Sequence, residues 1–288
     1  MSATMLAENP AAYSPPQQFR LSRAGLLRSE WTKFWSLRSS WIVMVCAALF
    51  GAGIAVAVAF DFANATAPAA DGTAPGAEGA PAAPVDPLSA LDVFFGFALA
   101  SVFIAVLGAL FITGEYTTGS IRSTMSAAPR RTGVLWAKTG AFGGIVLGVY
   151  SLLVLATFYA TQAILADTEY GGLALSDPGV FRILSGYVAT TLYLGLLGLA
   201  IGAILRNSAG SISFYVGVIL VLPMLMMELP WQWVRDIAPY TPGNVVNSLT
   251  MSDPSWATLS LGESWAWMGV WTVLSFGLAA VLLKRRDV

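Results

Sequence analysis

The chain is built from long apolar runs separated by short polar interruptions. Apolar runs cover residues 41–60, 91–113, 139–166, 183–205, 212–229 and 265–283. At a rise of about 1.5 Å per residue, twenty helical residues reach about 30 Å, the thickness of a bilayer's hydrocarbon core. The pattern therefore predicts an all-α integral membrane protein with six transmembrane helices. Residues 1–18 are Pro- and Ala-rich with no apolar period, and are expected to be a disordered tail. Residues 19–286 then form a single membrane domain.

Two polar segments carry their own helical pattern. Before the first run, Leu27, Trp31, Phe34 and Trp35 fall at helical spacing, with Arg20, Arg23, Arg28, Lys33 and Arg38 around them. A basic, aromatic, amphipathic helix of this kind lies in the membrane interface, and it is equally the flank of the first span. The second segment, residues 114–138, sets Arg122, Arg130, Arg131 and Lys138 against one acid, Glu115. Thr117 or Thr118 is placed to cap a short helix with Ile121, Met125 and Ala128 on one face, and Pro129 to stop it. Such an element between two spans is a docking knob for a cytoplasmic partner, or else a solvated loop whose charges only orient the chain.

The remaining interruptions have a different character. Residues 61–90 are rich in Ala, Pro and Gly and acidic, which predicts a flexible outer loop. Ala63-Asn64-Ala65 resembles a signal cleavage site, but the apolar run before it is longer than a signal core and is expected to stay as a span. From Glu228 to Glu263, Pro230, Pro239, Pro242 and Pro254 cut the chain into pieces. Trp231, Trp233, Tyr240 and Trp256 there, with Trp265 just beyond, suit the membrane–water boundary. Short extracellular helices dipping partly into the outer leaflet are expected before the last span. Gly140-x3-Gly144-x3-Gly148 in the third span and Gly198-x3-Gly202 in the fourth allow close helix approach, within one subunit or at a dimer seam. Pro223 is placed to kink the fifth span.

Charge fixes the expected orientation. Thirteen of the fifteen Lys and Arg fall on one side of a six-span topology, which leaves Arg182 and Arg235 on the other. Basic residues near span ends mark the inside, so both termini are expected to be cytoplasmic and the protein to be multi-pass in the cell membrane. Composition agrees: 11% of residues are charged, against about 25% in soluble domains. The chain has no His, which removes His-based general bases, Ser-His-Asp triads and the usual zinc hydrolases. Its single Cys, Cys46, permits no internal disulfide. Asp92, Glu115 and Glu228 all lie near span ends, whereas ion-coupled carriers keep ionisable groups near mid-membrane. Tyr150, Ser151, Tyr159, Thr161 and Gln162 in the third span are candidates for inter-helix hydrogen bonds or for a cargo path. No G-x4-G-K-[ST] phosphate loop occurs. No catalytic, cofactor-binding or metal-binding residues and no nucleic-acid partner are expected.

Two motifs bring a family into view. Arg28-Ser29-Glu30-Trp31-Thr32-Lys33, followed by Ser36-Leu37-Arg38-Ser39 and a span, resembles the start of actinobacterial ABC-2 type transporter permeases. Gly114-Glu115-Tyr116-Thr117-Thr118-Gly119-Ser120-Ile121-Arg122, then Ala128-Pro129-Arg130-Arg131 and Trp136-Ala137-Lys138, resembles the loop after the second span in that family. The resemblance covers roughly residues 21–286 and implies the membrane-spanning subunit of an ATP-driven exporter. By it, Leu27, Trp31, Lys33, Phe34 and Trp35 belong to a connecting helix along the inner surface. Glu115, Ile121, Arg122, Met125, Arg130 and Arg131 belong to a coupling loop that meets a separate ABC ATP-binding subunit, which would hold ATP and Mg. A second permease subunit, alike or different, would enclose the cargo route among membrane lipids. Glu115 and the arginines are equally read as anchors that never touch the ATPase. A non-transporting membrane sensor or immunity module that binds a membrane-active compound is the alternative function.

Overall fold

A computed structural model describes residues 23–66, 87–121, 131–168, 170–253 and 257–285. Helix α1 (Arg23–Ser36) precedes six helices long and apolar enough to cross a membrane. These are α2 (Arg38–Ala65), α3 (Leu88–Thr117), α4 (Arg131–Leu165), α5 (Val180–Leu205), α6 (Ser208–Glu228) and α9 (Leu261–Arg285). Between α6 and α9 lie the short α7 (Gln232–Ile237), a 3-10 turn at Ala238–Tyr240, and α8 (Asn247–Thr250). No strand occurs among the described residues. The expected six-span all-α class and the short helices before the last span are both present. The tail at 1–18 lies outside the described residues.

The helices overrun the apolar runs that announced them. Helix α3 continues through Glu115 to Thr117, and α4 starts at Arg131 rather than at 139. The expected 25-residue interruption therefore yields residues 114–117 to α3 and 131–138 to α4; of the rest, 118–121 are described, and Ser120 and Ile121 are helical. The reason is electrostatic: Glu115 and Lys138 find partners inside the bundle, so their charges do not end the helices. The expected outer loop contracts too. Helix α2 runs on past Asp61, and a 3-10 turn begins at Pro87. Phe62 lies tilted against Tyr170 with ring centres 5.4 Å apart, while Ala59, Ala90 and Leu165 form a small core beside it.

Helices α3 and α5 are the enclosed pair, and backbone contact holds them together. A Cβ added to Gly108 would lie 2.3 Å from the Gly195 carbonyl oxygen, and one on Gly198 would lie 2.1 Å from that of Ala105. Gly202 meets Ala109 and Ile112 in the same way. Lipid tails are as apolar as Leu, so such packing, and not expulsion of water, drives helix association here. Gly198-x3-Gly202 is thus used within the chain. Gly144 and Gly148 of α4 instead face open space, so the third-span series makes no close helix contact within the subunit. The third-span polar groups make few links between elements. Thr161 donates to Phe158 O within α4, while Gln162 Oε1 accepts from Leu173 N.

Proline and glycine shape α6. Residues Tyr215–Val221 take π-helical geometry just before Pro223. Pro223 has no N–H to offer the Ile219 carbonyl, and its ring crowds that oxygen, so the helix widens there. Gly243 packs directly on the freed carbonyl: a Cβ at this position would lie 2.0 Å from Ile219 O.

Candidate functional site: a buried four-charge cluster

At the end of the bundle where α1 lies, four charged side chains meet. Glu30 and Phe34 stand one turn apart on α1, and both are fully buried. Lys138 of α4 reaches Glu30 Oε2 at 2.6 Å and Glu115 Oε1 of α3 at 2.9 Å. Lys33 of α1 reaches Glu30 Oε1 and Glu115 Oε1, each at 2.9 Å. Glu30 and Lys138 are sealed from solvent, Glu115 is nearly so, and Lys33 is half-exposed. Two carboxylates face two ammonium groups, so the cluster is neutral overall. A buried charge without such partners costs several kcal/mol, about what each ion here would forfeit alone.

Aromatic rings line the side of the cluster. Lys138 Nζ sits 4.6 Å from the Phe111 ring centre, a cation–π contact. Phe34 packs edge-on against Phe111 at 5.6 Å, and Phe111 stacks with Phe142 at 6.1 Å. Burial alone would lower the pKa of Lys33. The carboxylates of Glu115 and Glu30 outweigh that and hold it above the usual lysine value. Glu115 keeps one acceptor, Oε2, buried without a hydrogen-bond partner among the described residues.

The end of α3 is tied on its other side as well. Ser208 Oγ donates to Thr113 Oγ1 at 2.7 Å, which joins α3 to the start of α6. The Arg206 guanidinium lies 5.3 Å from the Tyr116 ring centre. Arg206 closes α5 in the left-handed conformation (φ 56°), and Asn207 caps α6 by accepting from Gly210 N at 2.7 Å. The last turn of α3 is thereby fixed to α1, α4 and the α5–α6 turn. Beyond it Thr118 Oγ1 donates to Gly114 O, Gly119 turns at φ 71°, and Ile121 is buried.

The structure distributes the expected site residues unevenly. Glu115 and Lys33, read from the sequence as parts of two separate elements, meet in one cluster. Ile121 is buried beside it in sequence, not presented outward. Arg122, Met125 and Arg130 lie outside the described residues, as does the side chain of Arg131, whose backbone opens α4. The expected single stripe on α1 splits: Phe34 is buried, Trp35 half-buried, and Leu27 and Trp31 exposed. Trp35 also accepts from Trp41 Nε1 at 3.0 Å, which closes the corner between α1 and α2. Glu30 and Lys138 complete the cluster although neither is among the residues expected from the sequence to form the site. Their signal was present: Glu30 shares the face of Phe34, and Lys138 abuts the third apolar run.

Among the described residues no group of three or more His, Cys, Asp or Glu is placed to hold a metal ion. The cluster is a mechanical junction where three helices are pinned by charge. A search of curated proteins finds no match to the chain. The family profile described as ABC-2 family transporter protein matches residues 25–288, which takes in all but the first two residues of α1, the cluster and all six spans. The chain belongs to this ABC-2 transporter family and is a multi-pass membrane protein, the permease component of an ABC transporter.

Proposed function

We propose that this permease works in an ATP-driven exporter and is coupled to a separate ATP-binding subunit through residues 118–130. The observation that supports this reading is the charge cluster. Glu115 in the last turn of α3 and Lys138 near the start of α4 are 2.9 Å apart, so the two helices that flank the segment are clamped to each other close to it. A segment rooted in this way transmits a push to α1, α3 and α4 together. Nucleotide and Mg would be held by the partner, since this chain has no phosphate loop. Arg122, Arg130 and Arg131 supply positive charge for docking against that partner. A second permease subunit would complete the cargo route.

The test is affinity purification of the full chain from gently solubilised membranes, with identification of what co-purifies and an ATPase assay. A stoichiometric partner carrying a phosphate loop, with hydrolysis reduced by Arg122→Glu or Arg130→Glu, is the expected result. Stable variants with unchanged hydrolysis and transport would overturn the coupling role. A partnerless protein under conditions that preserve known complexes would overturn the exporter reading.

A further inference from the structure

The segment between α6 and α9 reaches the middle of the membrane domain before it turns back. Its deepest residues are Tyr240–Gly243. Tyr193 of α5 donates to Pro242 O at 3.2 Å, and the Trp271 indole of α9 donates to Tyr240 O at 2.9 Å. A Cβ on Gly243 would lie 2.0 Å from Ile219 O of α6. Tyr193, Ile219 and Trp271 each stand about 13 Å or more from either end of their own helix. Irregular backbone is tolerated at such depth only where protein or enclosed water satisfies it. The sequence is adapted to this. Pro239 and Pro242 carry no N–H, so the tip has two fewer donors to satisfy. Its carbonyls at 240 and 242 are answered by side chains from two other helices, and Ala238 O by Thr241 Oγ1 and Asn244 Nδ2 within the segment.

A segment that only joined α6 to α9 would stay at the boundary, where water satisfies its backbone. Depth instead places its bonds across a mechanical division. The charge cluster joins α1, α3 and α4, and backbone contact joins α3 to α5. Helix α9 stands outside that set. Its Gly262, Gly269 and Gly277 face open space, and it meets α4 through side chains such as Phe276 on Trp136. The tip is bonded to α5 through Tyr193 and to α9 through Trp271. We infer that Tyr240–Gly243 is a mid-membrane latch: its hydrogen bonds to Tyr193 and Trp271 hold α9 in register with the joined helices, and they are the bonds that open when those helices are displaced. Each is a single neutral hydrogen bond, cheaper to open than a buried ion contact of the cluster. A second tie lies nearer the outer end, where Arg182 of α5 donates to Ser248 O and the Ser248 hydroxyl bonds that of Ser264 on α9 at 2.6 Å. With the latch open, this outer tie is the pivot about which the inner half of α9 swings.

The latch is a property of this chain alone, and only its use during transport rests on the exporter reading. The full chain with Cys46→Ser is spin-labelled through Leu152→Cys on α4 and Val281→Cys on α9, both exposed positions, and studied in nanodiscs by pulsed dipolar EPR spectroscopy. The parent should give one narrow distance. Tyr193→Phe and Trp271→Phe each remove one latch bond and should raise the population of a second distance about tenfold. Tyr215→Phe is the control. Tyr215 is buried in the same apolar cluster as Tyr193, but its hydroxyl has no partner among the described residues, so its loss should leave the distances unchanged. A single distance in both latch variants, or the same second distance in Tyr215→Phe, would overturn the latch. The labelled parent is then measured with the ATP-binding subunit that co-purifies, trapped with ATP and vanadate. The second distance should appear there, and its absence would overturn the latch's use in transport. Absence of any ATP-binding subunit would instead overturn the exporter reading and leave the nanodisc result to decide the latch.

Discussion

Replacing Lys138 with Met should destabilise the protein more than any other single change in the charge cluster. Lys138 is 1% exposed and bonds both carboxylates. Its removal leaves Glu30 and Glu115 sharing the half-exposed Lys33, with a net negative charge sealed beside Phe111. Breaking a buried pair by deleting one partner costs about 3–5 kcal/mol, most of it the desolvation of the charge left behind. Lys33→Met is the contrasting case. It leaves the same net charge of −1, but both carboxylates still hold the buried Lys138 and the lost ammonium was partly solvated, so the cost should be smaller. Glu30→Gln keeps the shape of the fully buried acid and leaves two lysines on Glu115 alone, so it should fall between these limits.

The double variant Glu30→Gln/Lys138→Met decides between charge pairing and simple packing. It removes one charge of each sign, so it should be less damaged than the sum of its parts, with a coupling energy of about 1–3 kcal/mol. The assay is SDS-driven unfolding in mixed micelles, followed by tryptophan fluorescence. Trp31 and Trp35 are on α1 itself, 6.1 Å apart, and report its detachment. Additive losses, or a Lys33→Met cost equal to that of Lys138→Met, would refute the reasoning.

Three further outcomes follow from local geometry. Gly108→Ala or Gly198→Ala should abolish the folded monomer on size exclusion, because the new methyl meets backbone oxygen at 2.3 or 2.1 Å; Gly148→Ala, facing open space, should leave the subunit's melting within about 0.5 kcal/mol of the parent. Arg182 donates to the carbonyls of Ser248, Met251 and Ser252, so Arg182→Met should speed deuterium exchange in α8 while leaving α3 and α5 unchanged. The pKa of Lys33 is raised by folding, so its contribution is fully present below the ordinary lysine range and is lost as pH rises through the folded value. The stability gap between the parent and Lys33→Gln should accordingly be constant near neutral pH and close only in strong alkali, as read from melting curves across that range.

The spans were legible because a bilayer imposes a length and a polarity on anything that crosses it, and six apolar runs met both conditions. Their ends were not legible. Hydropathy stops a helix at the first charge, whereas Glu115 and Lys138 are tolerated inside helices because each lies against an opposite charge from elsewhere in the chain. That partnership joins residues 108 positions apart in the case of Glu30 and Lys138, and no local pattern encodes it. The same limit applied to the glycines. The third-span and fourth-span series look alike, yet only the fourth meets a backbone, because what decides is the small residue waiting on the facing helix. On α1, the apolar stripe was legible but its division was not. Leu27 and Trp31 turn outward while Glu30 and Phe34 turn in, since neutralised charge packs against the bundle as well as an aromatic ring does.

The cluster also limits how any force can act on this protein. Residues 118–130 are rooted where α1, α3 and α4 are joined by four short ion contacts, and the same turn of α3 is fastened to the α5–α6 turn through Thr113 and Tyr116. A push on the segment has two outlets. It either moves these helix ends as a unit, or it pulls a carboxylate from its ammonium in a site closed to water. The second route costs about 3–5 kcal/mol for each buried charge exposed without a partner. The first costs only the lateral repacking of faces that already border lipid, chiefly on α9 and on α6 beyond its pinned first turn. The cheaper motion is therefore a displacement of the pinned core, with α2 packed backbone to backbone on α3 and moving with it, against α9 and the far part of α6. Disulfide cross-links within the pinned set should leave activity intact, while cross-links from α3 or α5 to α9 or the far part of α6 should stop it.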